Sequence, residues 1–76
     1  MTGMEKIGIK TDFIKLDSLL KYASLVSSGG EAKTAIADGL VSVNGEIAFQ
    51  RGKKIFPGDT VSFCGAELCV EKNENP

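Results

Sequence analysis

The sequence has no histidine and no tryptophan, one tyrosine, two prolines and two cysteines. Without histidine the commonest general base and proton shuttle is missing. Two cysteines without histidine also rule out the usual four-ligand zinc sites. No metal or cofactor is therefore expected, and no catalytic residue is singled out. Large side chains are scarce, with four Phe beside the one Tyr, so the expected core is thin and stable by only a few kcal/mol. No apolar run approaches the roughly 18 residues that a membrane-crossing helix needs. The N-terminus carries no signal-peptide pattern, so the expectation is a cytoplasmic protein with no membrane partner. Cys64 and Cys69 could meet across a hairpin, but in a reducing cytosol two free thiols on a strand pair are the expected state.

What is present fits one small domain. The chain has 76 residues, near the lower limit for a fold held by one core. A single domain over residues 1–76 is expected. A net charge of −1 argues against coating nucleic acid by bulk attraction, yet the distribution of charge matters more than its sum. Between residues 13 and 54 stand Lys15, Lys21, Lys33, Arg51, Lys53 and Lys54 against Asp17, Glu31, Asp38 and Glu46. From residue 55 onward Lys72 stands alone against Asp59, Glu67, Glu71 and Glu74. That separation predicts one basic face.

Met1 to Glu5 is expected to be loose, and Ile7 and Ile9 alternate as an extra N-terminal strand over about residues 6–10. Leu16, Leu19, Leu20 and Ala23 fall at i, i+3, i+4 and i+7, the stripe of a first helix. Leu25 and Val26 are expected to tuck between this helix and a second one. Ser28 and Glu31 have capping-box spacing; Ala32, Ala35 and Ile36 continue the helical period, and Gly39 is its expected C′ stop. Val41 and Val43 then lead into Asn44-Gly45, a strong hairpin signal. Ile47 and Phe49 alternate as the returning strand, QRGKK is a basic loop, and Pro57-Gly58-Asp59 is a turn. A C-terminal hairpin is expected over about residues 60–71, with Gly65-Ala66 turning it and a polar tail from Glu71 to Pro76. Together these predict an α+β fold, two short helices packed on a small, curved, mostly antiparallel sheet.

The order KLDSLL, SGGEAK, IADGLVSVNG, QRGKK and PGDTV resembles the RNA-binding domain of ribosomal protein S-four, the alpha-L motif. The resemblance covers about residues 14–63 and points to a short stand-alone bacterial member. It implies binding of structured RNA, ribosomal or transfer, through the two helices and the start of the following hairpin. Lys15 stands where the family often has arginine before Leu-Asp, and Lys33 where a basic residue follows the alanine of helix two. Arg51, Lys53 and Lys54 occupy the often-basic hairpin segment. Many members carry basic residues in the connection before helix two, where this chain has Ser27, Ser28, Gly29 and Gly30.

The RNA-binding candidates are thus Lys15, Lys33, Arg51, Lys53 and Lys54, with Lys21, Ser28 and Gly30 as weaker ones. Each has a plainer alternative. Lys21 is four residues after Asp17, the spacing of a helical ion pair; Lys53 and Lys54 could simply keep a loop soluble. Glu31 works against a phosphate at the Gly29-Gly30 helix start, and GGEAKT lacks the order of a nucleotide-binding P-loop. Asp17, Glu31 and Asp38 read as caps and dipole partners rather than acid–base groups. With almost no exposed aromatics expected, phosphate tracking fits better than base reading. The expected protein is therefore a monomeric, non-enzymatic RNA-binding module, acting in ribosome assembly or ribosome-associated quality control with the ribosomal subunit as a partner. The alternative is a protein-interaction adaptor that kept the fold and lost RNA.

Overall fold

The computed structural model describes residues 4–73. The chain runs β1 (Glu5–Ile9), β2 (Ile14–Lys15), α1 (Leu16–Tyr22), α2 (Gly29–Ala37), β3 (Val41–Val43), β4 (Glu46–Ile47), β5 (Lys54–Ile55), β6 (Thr60–Phe63) and β7 (Ala66–Lys72). Five strands form a sheet in the order β1-β7-β6-β3-β4, and β2 pairs with β5 in a separate ladder. Every pairing is antiparallel except that of β1 with β7. This is the expected α+β class, two helices with a mostly antiparallel sheet.

The helical leucines do what their spacing predicts: Leu16, Leu19 and Leu20 are fully buried. Ala32, Ala35 and Ile36 of α2, Val41, Val61, Leu68 and Val70 of the sheet, and Ile55 of β5 complete the same apolar cluster. Val26 is buried between the helices as expected, with Leu25 partly covered beside it. The core contains only aliphatic side chains. None of the aromatic residues is buried, and Tyr22, Phe49 and Phe56 are exposed, which corrects the expectation of almost no exposed aromatics.

Both helices stop in the same way. At the end of α2 the Gly39 N–H donates to the Ile36 carbonyl and the Leu40 N–H to the Ala35 carbonyl, each at 3.1 Å. With Gly39 at φ 75°, this is the double-bonded left-handed cap that frees no carbonyl. At the end of α1 the Ser24 N–H reaches Lys21 and the Leu25 N–H reaches Leu20, each at 3.0 Å. Here a serine at φ 62° holds the left-handed position. The start of α2 is capped by Ser28, whose Oγ accepts the Glu31 N–H at 3.2 Å. Glu31 reaches back one residue further than a capping box requires, accepting the Ser27 N–H at 2.8 Å.

Several boundaries differ from the expectation. The Asn44-Gly45 turn has both residues at positive φ (52° and 86°), the geometry a two-residue hairpin needs. The second hairpin turns on Cys64 and Gly65 (φ 51° and 83°), so Ala66 is already in β7, opposite Phe63. Cys69 lies opposite Thr60, four residue pairs from the turn, about 14 Å along the ladder. No disulfide can span that, and both thiols are free. The alternation of Ile47 and Phe49 does not extend β4: Ala48 is the buried residue and its two neighbours are exposed. Glu5 belongs to β1, and Glu71 and Lys72 are drawn into β7 by pairing with Gly8 and Ile9. The remaining ends assigned to loose segments, residues 1–3 and 74–76, lie outside the described residues.

Candidate nucleic-acid interface

Lys15 is the residue before α1 and its side chain caps nothing, because an ammonium has no lone pair to offer the free N–H groups of a helix start. The basic loop supplies the missing acceptors. The Leu16 N–H donates to the Lys53 carbonyl at 2.9 Å, and the Asp17 N–H donates to the Arg51 carbonyl at 3.1 Å. The loop is itself a turn, closed by the Lys53 N–H on the Gln50 carbonyl at 3.1 Å. Lys15 then pairs across β2–β5 with Lys54. One helix start thus gathers Lys15, Arg51, Lys53 and Lys54, all of them exposed.

Like charges directly opposite on a ladder repel, so the Lys15–Lys54 pairing favours an anion nearby. Lys54 has a second engagement: its Nζ lies 4.9 Å from the centroid of the Phe13 ring. Phe13 in turn packs on Phe56, ring centroids 5.8 Å apart. The Lys54 ammonium is therefore drawn toward an aromatic face, leaving Lys15, Arg51 and Lys53 as the cations of the cluster without such a contact. Among the described residues the one ion pair is Lys72 with Asp12, at 3.3 Å, so none of the candidate cations is neutralised by a carboxylate there.

The other candidates are not gathered so closely. Lys33 is exposed on α2, a separate element packed against α1. Lys21 is in the last turn of α1, about 9 Å along the helix axis from Lys15. The helical ion pair with Asp17 that its spacing allows is not formed; the Asp17 carboxylate accepts the N–H of Ser18 at 2.7 Å. Lys21 lines a shallow hollow with Ile14, Ser18 and Tyr22. The Ser28 hydroxyl oxygen is committed to capping α2. Gly30 has no positive φ, and a Cβ there would meet nothing nearer than Ser28 Oγ at 3.9 Å. Neither conformation nor space explains why it is glycine.

Two features escaped the sequence reading. Asn44 clamps the β3–β4 hairpin to the Pro57-Gly58 turn: its Nδ2 donates to Asp59 at 3.1 Å and its Oδ1 accepts the Thr60 N–H at 2.9 Å. The two ends of that clamp are 15 and 16 residues apart in the chain, and no local pattern announces them. The second feature is an open groove lined by Val43, Asn44, Glu46, Ile47, Ala48, Phe49, Gln50 and Lys53. Its exposed aromatic, Phe49, lies beyond the end of β4 rather than in the strand that its alternation with Ile47 predicts.

β7, which carries Glu67 and Glu71, lies three strands from β4 in the sheet order, about 14 Å away. The basic loop follows the edge strand β4 in the chain, and β4 itself carries Glu46.

These are the features of an alpha-L RNA-binding domain, and the comparisons agree. The S4 domain model matches residues 7–71, and the chain belongs to that family. The match includes most of β1 and most of β7. Over 61 residues the chain is 43% identical to "Putative RNA-binding protein YbcJ" of Escherichia coli (strain K12), covering 80% of this chain and 87% of that protein. Over 59 residues it is 41% identical to "Probable ribosome maturation protein RlbA" of Bacillus subtilis (strain 168), covering 78% and 83%. The solution structure of E. coli YbcJ, described as revealing an alpha-L motif involved in RNA binding, superposes with a TM-score of 0.71. That comparison is at 38% identity and covers 93% of this chain and 91% of the other.

Proposed function

We propose that this protein docks on structured RNA, ribosomal RNA in particular, and acts in ribosome assembly as a cytoplasmic, monomeric binding module rather than a catalyst. The observation that carries the reading is the capping of α1 by the backbone of Arg51 and Lys53. It holds the backbone of two cationic residues, Arg51 and Lys53, against the start of α1 beside Lys15 and Lys54, so four positive charges share one small region that can attract phosphates. Lys33, exposed on α2, is included in the proposed face because the family resemblance puts a basic residue there. An RNA duplex hides its base edges in a narrow groove, so a domain of this size recognises phosphates, 2′-hydroxyls and shape. The relatives named for RNA binding and for ribosome maturation support the choice of partner.

Crosslinking the tagged protein to RNA in cells and sequencing the fragments tests this directly. Recovered fragments should concentrate on structured segments of ribosomal RNA. The competing reading is a protein-interaction adaptor that kept the fold, for which the uncharged Ser27–Gly30 connection speaks. Nuclease treatment of a low-salt pulldown separates the two: partners leave under the RNA reading and stay under the adaptor reading.

A further inference from the structure

We infer that Phe49 is a stacking platform for an unpaired base, so that the RNA taken by this face presents a single-stranded nucleotide beside its duplex. The inference rests on the RNA-binding reading above and deepens it by naming the class of RNA. Phe49 is 66% exposed, more than any other large apolar residue described, in a chain that buries no aromatic ring at all. One edge of its ring lies close to the end of α2. A Cβ added at Gly39 would lie 3.4 Å from Phe49 Cε1 and 3.7 Å from Phe49 Cζ, with Ile47 Cγ2 also at 3.7 Å. The ring edge therefore rests on bare backbone at the end of α2, while most of the ring remains open to solvent.

The surroundings suit a nucleotide. Phe49 shares its groove, about 420 Å³, with Asn44, Gln50 and Lys53, and the volume is that of a small-ligand site. Gln50 offers its amide to a base edge, while the Asn44 amide, engaged by Asp59 and Thr60, shapes the wall of the groove. Lys53 in the same groove and Arg51 two residues from the ring offer cations to the flanking phosphates. Glu46, also in the groove, repels phosphate but accepts from a base amino group. Stacking on an aromatic ring tolerates any base, because every base has a π-face. A second copy of this chain is a poorer occupant, since a two-fold contact through this face would bring the Arg51 and Lys53 of both copies together.

The test uses the intact chain and two RNA probes, a stem closed by an unpaired loop and the same stem as a blunt duplex. Phe49→Ala should weaken binding to the looped probe by about 5- to 150-fold and leave the blunt duplex unchanged. Thermal unfolding by circular dichroism checks that the variant is folded. Because the chain has no tryptophan, Phe49→Trp creates a single tryptophan at the site, whose emission is read apart from that of Tyr22. Its emission should be quenched by the looped probe and not by the duplex. Equal effects of Phe49→Ala on both probes, no effect on either, or an unquenched fluorophore would overturn the inference. So would a concentration-dependent dimer that Phe49→Ala dissolves, since a second copy would then occupy the face. The underlying reading fails separately: in that case the looped probe binds the protein with Arg51 and Lys53 replaced by alanine as well as it binds the native chain.

Discussion

Replacing Asn44 by glycine, alanine and aspartate separates what its backbone conformation contributes from what its side chain contributes. The residue is at φ 52°, where an L side chain with a Cβ is strained by about 1–2 kcal/mol and asparagine is better tolerated than alanine. Its side chain makes two hydrogen bonds, to Asp59 and from Thr60; exposed as they are, their sum is about 1–2 kcal/mol. Asn44→Gly removes the bonds and relieves the strain, which partly cancel, so it should cost about 0–1 kcal/mol. Asn44→Ala removes the bonds and is strained more than asparagine at this φ, for about 2–3 kcal/mol. In a domain this small the alanine variant should melt about 10–20 °C below the native chain. Asn44→Asp keeps the acceptor for Thr60 but sets a second carboxylate against Asp59, so it should be destabilised at low salt and recover in about 1 M salt. Urea unfolding followed by far-ultraviolet circular dichroism measures all three. If alanine and glycine both match the native chain within about 0.5 kcal/mol, the clamp contributes nothing and the reasoning is wrong.

Two further variants test the helix ends. Ser24→Gly replaces the strained left-handed residue after α1 and should stabilise the protein by about 0.5–1 kcal/mol in the same assay. A loss of stability there would mean that the serine is held by something other than its backbone conformation. Gly30→Ala fills open space in the first turn of α2 and should also stabilise, by up to about 1 kcal/mol. It should at the same time weaken binding to structured RNA several-fold, measured by fluorescence anisotropy; unchanged affinity removes Gly30 from the proposed face.

The parts of the fold that were legible in the sequence are those with a local cause. Leu16, Leu19 and Leu20 share a helical period, Gly39 and Gly45 supply positive φ, and Pro57-Gly58 forms its turn, closed by the Asp59 N–H on the Phe56 carbonyl at 2.9 Å. Family order joined those pieces into an RNA-binding domain. The parts that were not legible depend on partners far along the chain. Nothing near Leu16 and Asp17 says that carbonyls of Arg51 and Lys53 will cap them, and a two-residue ladder such as β2–β5 is too short to leave a pattern. Ser24 and Cys64 hold left-handed positions that propensity assigns to glycine or asparagine, because the packing on either side fixes the turn. Phe49 misled for the opposite reason. Alternation with Ile47 is the mark of a half-buried strand, but the strand ends at Ile47 and both side chains remain outside. Of the candidate cations, Lys15, Arg51, Lys53 and Lys54 are gathered around one helix start, while Lys21 stands at the other end of α1.

The central claim is that RNA is held by cations at the start of α1 and on α2. Its most direct test is the salt dependence of binding to structured RNA, for the native chain and for the Lys33→Ala, Arg51→Ala double variant. With Lys54 partly engaged by Phe13, four cations remain to meet phosphates, and log affinity should fall with log salt at a slope of about −3 to −4. The double variant should bind every structured RNA more weakly and show a slope shallower by about two. An affinity and a slope both unchanged in the double variant would contradict the account.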